Sequence, residues 1–280
     1  MHPRILALVL LISPCALLAQ TPPNAPAAGS KECGIKAIQI CALHVAQDEV
    51  GIITAPLRMK QSDLPALLIF TAGTGAALAT DVDAMDAVGM NPSREHNASR
   101  YSDYAGLYAP AAAVTVGFFV GSAKHNHHLQ ETSILAEEAM ADSFFLNLGL
   151  GYALNRQTPN QGNGKGDFWP HGTKTWPDGQ SMPSDHSILV WSFAHVVASE
   201  YNGWATKTVV YSLATSVSAA RVIARKHFPS DVFVGGALGY YVGGYVIHRR
   251  STESSWNNFA LAPIRTPNGK GIELSYNFAN

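Results

Sequence analysis

The sequence predicts an all-α fold, a bundle of six helices followed by a short C-terminal β-hairpin. Six stretches lack charged residues, are rich in Ala, Gly, Leu and Val, and show none of the polar–apolar alternation of a half-buried strand. The tail, residues 251–280, differs because two short alternating runs surround Asn268-Gly269, which predicts the hairpin. Charged residues form only 14% of the chain, and its net charge of −1 creates no field that favours nucleic acid.

The N-terminus is expected to direct the chain out of the cytoplasm. Residues 1–19 have the form of a secretory signal peptide, with a basic residue before a short apolar core. Residues 20–44 follow as a linker. We therefore expect an exported protein of the periplasm or the cell-envelope membrane. An oxidising compartment permits a disulfide between Cys33 and Cys41, and two free thiols are the alternative.

The six predicted helices form a domain over residues 45–250. Their charge-free cores are 64–80, 104–123, 143–155, 187–199, 208–220 and 232–247. Residues 131–141 extend the third helix. A membrane-spanning helix needs about 20 apolar residues, and only 104–123 reaches that length, with Pro110 interrupting it. The pattern favours a soluble or membrane-leaning bundle, although the many small residues also suit helix packing in lipid.

Two connecting segments invite a functional interpretation. The loop over residues 156–185 is long for a compact domain, and such loops are usually functional. Its aromatic residues Phe168, Trp169 and Trp176 either wall a pocket for a lipid or sugar or pack the loop down. Residues 81–86 contain three aspartates but lack the glycine and the final glutamate of a calcium loop, so we interpret them as a solvated loop.

The first chemical motif combines Arg221, His227 and Asp231, which precede the last apolar helix. A carboxylate that holds one imidazole nitrogen leaves the other free to attack. His227 is therefore the expected nucleophile, and Asp231 the residue that orients it. A guanidinium can hold phosphate oxygens through two parallel hydrogen bonds, which is the role expected of Arg221.

The second motif is Pro183-Ser184-Asp185-His186, at the start of the run 187–199. Ser184 is a suitable N-cap, and the N–H groups at a helix N-terminus form an anion site. His186 is expected to protonate a departing oxygen. Each motif alone is more often a local hydrogen bond or a capped helix start. Together they supply the cation, the nucleophile and the acid that phosphoryl transfer without a metal requires.

These motifs resemble those of the type 2 phosphatidic acid phosphatase / vanadium haloperoxidase superfamily, which are Lys-x6-Arg-Pro, Pro-Ser-Gly-His and Ser-Arg-x5-His-x3-Asp. Residues 220–231 match the third family motif except for Ala220 at the serine position. Residues 183–186 match the second family motif except for Asp185 in place of glycine. The Pro-Ser-Asp-His form is similar to that of bacterial undecaprenyl-diphosphate phosphatases of the bacitracin-resistance type. The resemblance covers roughly residues 135–248 and implies a six-helix core and a phosphohistidine intermediate on His227, hydrolysed without metal.

The first motif of that superfamily is incomplete in this chain. When Pro159 is aligned with the family proline, Thr158 and Gly151 stand where the arginine and lysine are expected. Arg156, or Lys165 in the following loop, is the expected substitute. If neither reaches the phosphate, the loss in transition-state stabilisation amounts to several kcal/mol, since one oxyanion donor contributes roughly 2.7–4 kcal/mol.

We therefore expect a metal-independent, cofactor-free phosphatase that acts on phosphate monoesters or diphosphates, with a lipid phosphate as first choice. Ser184, Asp185, Arg156 and Lys165 are the expected substrate-binding residues. Two alternatives stay open: a non-catalytic envelope protein that binds phosphorylated ligands through a degraded site, and a vanadium-dependent haloperoxidase. The histidines of 124–128 have no acidic or cysteine partner at metal-ligand spacing, so we expect no metal. The sequence leaves membrane association and oligomeric state open.

Overall fold

The computed structural model describes residues 35–174, 176–177, 179–257, 259–266 and 269–276, with side chains from residue 45 to residue 250. The predicted signal peptide and the predicted disulfide lie outside the described residues. Eight α-helices occupy the described part: α1 Ile35–Thr54, α2 Leu64–Val88, α3 Pro92–Asp103, α4 Ala109–Ala123, α5 His127–Leu154, α6 Asp185–Glu200, α7 Trp204–Ile223 and α8 Pro229–Asn257. Short 3₁₀ turns at Ala55–Arg58 and Gln61–Asp63 lead from α1 into α2.

The all-α prediction is confirmed, and all six predicted helices are present. Two further helices, α1 and α3, accompany the predicted six, because a search for charge-free runs passes over them. The helix α3 is polar and begins where the Asn91 side chain accepts a hydrogen bond from the Arg94 N–H group. The helix α1 begins at Ile35, inside the predicted linker, and α8 continues to Asn257, past the predicted end of the domain at residue 250.

The interpretation of residues 81–86 as a solvated loop was wrong. The helix α2 runs through them and ends at Gly89, whose φ of 62° is natural for glycine at this position. Asp81 is 1% exposed. Its carboxylate accepts hydrogen bonds from Arg156 and from Ser230, on segments remote in sequence, and these partners account for its burial inside an otherwise apolar helix.

The centre of the bundle is the contact between α6 and α8, with α5 packed against both. Three glycines of α8, Gly235, Gly239 and Gly243, recur every fourth residue and face α6. A Cβ atom at Gly239 would collide with the carbonyl oxygen of Ile188, and one at Gly235 would lie 2.7 Å from that of Ser184. The two backbones therefore touch, which fixes the N-terminus of α6 beside the N-terminus of α8.

Two helical segments in the described part, Gln61–Val88 and Pro92–Ala123, are long and apolar enough to cross a membrane, judged by length and composition alone. Only 6% of the apolar window of the first is buried. The second contains a π-helical turn at Tyr104–Tyr108, followed by Pro110 in the first turn of α4. The proline lacks an N–H group, and the first turn of a helix tolerates that loss, so Pro110 does not break the segment.

The backbone of the tail forms two antiparallel strands, β1 Phe259–Thr266 and β2 Gly269–Tyr276. Their register pairs Phe259 with Tyr276 and Thr266 with Gly269. The side chains of this segment lie outside the described residues.

Candidate active site

The predicted site residues meet where α6 and α8 begin and α7 ends. His227 lies in the turn between α7 and α8 and is 5% exposed. Its Nδ1 is 2.7 Å from the carbonyl oxygen of Ser181, whereas the nearest oxygen of Asp231 is 4.0 Å away. A carbonyl oxygen only accepts, so Nδ1 carries a proton and donates it, and the lone pair of a neutral ring would belong to Nε2. Ser181, which the sequence reasoning missed, therefore holds the ring directly, in place of Asp231.

Asp231 supports this arrangement indirectly, through Ser181. Its carboxylate is fully buried and accepts hydrogen bonds from the Ser181 hydroxyl at 2.6 Å, the Phe228 N–H group at 2.8 Å and Arg156 at 2.6 Å. Burial raises the pKa of Asp231, and the charge of Arg156 opposes that rise. Ser181 thus links Asp231 to His227, with its hydroxyl on one and its carbonyl on the other.

Arg156 does not occupy the phosphate-facing position expected for it. It is 2% exposed, and its Nη2 donates to Asp81 at 2.7 Å while its Nη1 donates to Asp231. Its Nε donates to the carbonyl oxygen of Gly166 at 3.1 Å. The guanidinium also lies over the ring of Phe228, 4.4 Å from the centroid. These contacts place Arg156 on the Nδ1 side of His227, behind Asp231.

Lys165, the second expected substitute, is exposed in the loop between α5 and α6. Its backbone N–H donates to the Asn163 side chain at 2.9 Å. Among the described contacts, no hydrogen bond or ion pair joins its ammonium group to the other site residues. The structure therefore brings neither substitute cation against the Nε2 face of His227.

Arg221 does reach that face. It lies in the last turn of α7 and is 7% exposed. Its Nη2 is 3.4 Å from Nε2 of His227, and its Nη1 is 3.4 Å from Asp103, which ends α3. Its Nε is buried and has no hydrogen-bond partner among the described residues. A fixed cation with a spare donor thus faces the nitrogen that is free to attack.

Asp185 occupies the point where the expected catalytic groups converge. Its Oδ1 is 2.8 Å from Nδ1 of His186, 3.3 Å from Nε2 of His227 and 3.9 Å from Nη2 of Arg221. Burial alone would raise the pKa of Asp185, but His186, His227 and Arg221 hold it well below its ordinary value. The side chain is 50% exposed. An anionic oxygen of the chain itself therefore sits in this pocket, and the half-exposed side chain has room to leave it.

His186 is held between two carboxylates. Its Nε2 is 2.9 Å from Asp103 and its Nδ1 is 2.8 Å from Asp185. Burial of the ring opposes its charge, but the two aspartates outweigh burial and raise the pKa of His186. The cationic form, with an N–H on each nitrogen, is the form that can serve as an acid. Asp103 was missed by the sequence reasoning.

Ser184 stands at the N-cap position of α6, as expected, but makes no capping hydrogen bond. Its backbone N–H donates to the carbonyl oxygen of Asp231 at 3.0 Å, so that group is already engaged. Its hydroxyl is fully buried and has no partner among the described residues. The hydroxyl, rather than the backbone N–H, is the group Ser184 has available for a ligand.

The loop aromatics pack against the bundle. Trp169 and Trp176 stack with their ring centroids 6.4 Å apart, and their indole N–H groups donate to the backbone carbonyls of Ala153 and Tyr152. Phe168 lies 5.0 Å from the Arg156 guanidinium. These contacts favour the second of the two interpretations left open for them, in which they pack the loop down.

The helical bundle brings two histidines and the buried Arg221 together around one position, an arrangement suited to binding a phosphate-like anion. Residues 134–254 match the PAP2 superfamily, so this part of the chain is similar to the type 2 phosphatidic acid phosphatase superfamily. The match confirms the resemblance drawn from the motifs and supports an activity of the phosphatase type. Neither the curated proteins nor the solved structures include a significant match to the chain.

Proposed function

We propose that this protein hydrolyses phosphate esters through a phosphohistidine on His227. One observation carries the proposal: Nδ1 of His227 donates to Ser181, so the lone pair of the neutral ring belongs to Nε2, which lies 3.4 Å from Arg221. A nucleophile with a free lone pair beside a fixed cation suits attack on a phosphorus atom whose oxygens carry negative charge. Similarity to the superfamily supports the same class of reaction.

The proposed reaction begins when a phosphoryl group displaces the Asp185 carboxylate from its position near His227. Nε2 of His227 then forms a bond to phosphorus as the bond to the leaving oxygen breaks. With Asp185 displaced, the Nδ1–H of His186 is free to protonate that oxygen. In the second step His186 takes a proton from water, the resulting hydroxide attacks phosphorus, and the bond to Nε2 breaks to release phosphate.

The groups proposed to hold the phosphoryl oxygens are fewer than the family motifs would provide. Arg221 supplies the fixed positive charge. Its Nε and the Ser184 hydroxyl are buried donors that have no partner among the described residues, and a phosphoryl oxygen would satisfy them. Arg156 is engaged elsewhere, so the only other cation proposed is Lys165, which would have to approach from the loop.

A lipid phosphate is the proposed substrate class. The outer surface of α2 exposes large apolar residues, among them Leu68 at 66% and Ile69 at 72%. Exposed apolar area of this extent on a long helix suits contact with lipid tails. With the predicted signal peptide, this supports a location in the periplasm at the surface of the cell-envelope membrane.

The test is phosphate release by the mature chain in the presence of a chelator, on an aryl phosphate, phosphatidic acid, phosphatidylglycerophosphate and undecaprenyl diphosphate. His227→Ala should lower turnover at least about a thousandfold. His96→Ala, at an exposed position on α3, should leave it unchanged. Full activity of His227→Ala on any substrate would rule out the phosphohistidine. The ranking of substrates distinguishes lipid from soluble esters.

A second candidate function is binding of phosphorylated ligands without turnover. It is favoured by one observation, that Asp185 places a negative charge in the anion pocket while Arg156 is engaged behind Asp231. In that case inorganic phosphate should raise the melting temperature, whereas none of the esters should be hydrolysed. Hydrolysis that depends on His227 would exclude this alternative.

A further inference from the structure

We infer that Asp81 of α2 is a positioning residue for the proposed reaction, acting on His227 through Arg156 and Asp231. The inference rests on the proposed function. Within the described part of the chain, the hydrogen bonds of Asp81 go to Arg156 and Ser230 and not to the residues around Asp185, so we do not propose Asp81 as a catalytic residue. It lies before residue 134, outside the part of the chain that matches the superfamily.

The contacts form one continuous buried chain. Asp81 accepts from Nη2 of Arg156 at 2.7 Å, and Nη1 of Arg156 donates to Asp231 at 2.6 Å. Asp231 in turn holds Ser181, whose carbonyl oxygen binds Nδ1 of His227. Asp81, Arg156 and Asp231 are at most 2% exposed, so water contributes little to their orientation or their screening.

Asp81 also fixes the start of α8. Its Oδ1 accepts from the Ser230 backbone N–H at 3.0 Å, and its Oδ2 accepts from the Ser230 hydroxyl at 2.5 Å. Ser230 precedes Asp231 in the first turn of α8, and its hydroxyl also accepts from Arg156 at 2.6 Å. The carboxylate therefore anchors both the guanidinium and the backbone that carry Asp231.

The charges explain why a second carboxylate is needed. Arg156 placed between Asp81 and Asp231 leaves one net negative charge when both acids are ionised. Attack through Nε2, with Nδ1 protonated, makes the His227 ring cationic, and that remaining negative charge stabilises the cation. Without Asp81, Arg156 would cancel Asp231, and the buried cationic ring would have no net counter-charge behind it.

The decisive variant is Asp81→Asn, compared with Asp83→Asn at an exposed position of the same helix. We expect kcat to fall roughly 10- to 100-fold for Asp81→Asn, with KM changed by less than about threefold, because the pocket itself is untouched. Asp83→Asn should match the wild type in both quantities.

Loss of folding is separated from loss of positioning by circular dichroism and by assay well below the melting temperature. Asp81→Glu keeps the charge and should recover part of kcat. If Asp81→Asn does not fold, Arg156→Lys decides. Lysine keeps the charge but lacks the separate Nη1 and Nη2 groups that hold Asp231 and Asp81, so its kcat should fall similarly. A kcat within twofold of wild type in the decisive variant overturns the inference. An inactive wild type, or an active His227→Ala, overturns the proposed function instead.

Discussion

Asp185→Asn is the substitution that most directly tests how the pocket handles anions. The wild-type carboxylate contacts His186, His227 and Arg221 and is ionised at neutral pH, because its pKa lies well below the ordinary value. Any phosphate that enters must displace this negative charge or lie beside it. Asparagine has nearly the same shape, keeps one oxygen as an acceptor and removes the charge. We therefore expect tighter binding of phosphate.

The magnitude follows from the distance to the charge of Arg221 and from the exposure of Asp185. Unit charges at the 3.9 Å that separates the Asp185 oxygen from Nη2 of Arg221 interact by about 4 kcal/mol at an effective dielectric constant of about 20. The side chain is 50% exposed, so water screens much of this energy, and exposed pairs contribute only about 1 kcal/mol or less. A value between these limits, about 1.4 kcal/mol, corresponds to a tenfold change.

The assay is competitive inhibition by inorganic phosphate at neutral pH, repeated at two ionic strengths. The inhibition constant should fall about tenfold in Asp185→Asn, and the difference from wild type should shrink at higher salt. Asp86→Asn, at an exposed position on α2, serves as the control for loss of one negative charge. An inhibition constant that is unchanged or higher would refute the idea that Asp185 competes with phosphate. Calorimetric titration with phosphate provides the same answer if turnover is too slow to assay.

Two further predictions concern stability. Burial and the neighbouring Asp48 raise the pKa of Asp142 from 3.8 to about 9. Between these pH values the folded chain keeps a proton that the unfolded chain releases. The free energy of unfolding should therefore fall as pH rises through this range, by up to about 1.4 kcal/mol per pH unit. Asp142→Asn should flatten this slope in urea denaturation at pH 6 and pH 8, and an unchanged slope would contradict the assignment. Gly239→Ala should cost about 1–3 kcal/mol because its methyl group meets backbone of α6. In Gly149→Ala the added Cβ has no neighbouring atom within 4 Å, so this variant should gain up to about 1 kcal/mol in stability from helix propensity. Equal urea denaturation midpoints for the two variants would show that the contact between α6 and α8 is not tight.

The sequence predicted the site where local spacing determines geometry. His227 and Asp231 stand four residues apart at a helix start, and Arg221 precedes them at the end of another helix, so their proximity follows from short-range structure. The same is true of Asp185 and His186 in one helical turn. The family motifs then related these two segments to each other, and the structure places them within hydrogen-bonding distance.

The residues that the sequence did not reveal are those that act over long separations. Asp81 and Asp103 meet their partners Arg156 and Arg221 across more than seventy residues, and no local pattern marks an isolated aspartate as one end of a buried pair. Arg156 illustrates the opposite error. Its place in the chain suggested a phosphate ligand, but the burial of Asp81 beside it makes an internal ion pair the stronger interaction.

The positions of Asp81 and Asp103 determine which residues a functional fragment of this protein must include. Domain limits taken from the superfamily match, residues 134–254, retain both histidines but remove α2 and α3. Such a fragment would leave Arg156 with one carboxylate instead of two, and His186 without its partner on Nε2. The shortest fragment that keeps every charge around the two rings therefore starts before Leu64, and it necessarily includes the long apolar helix α2.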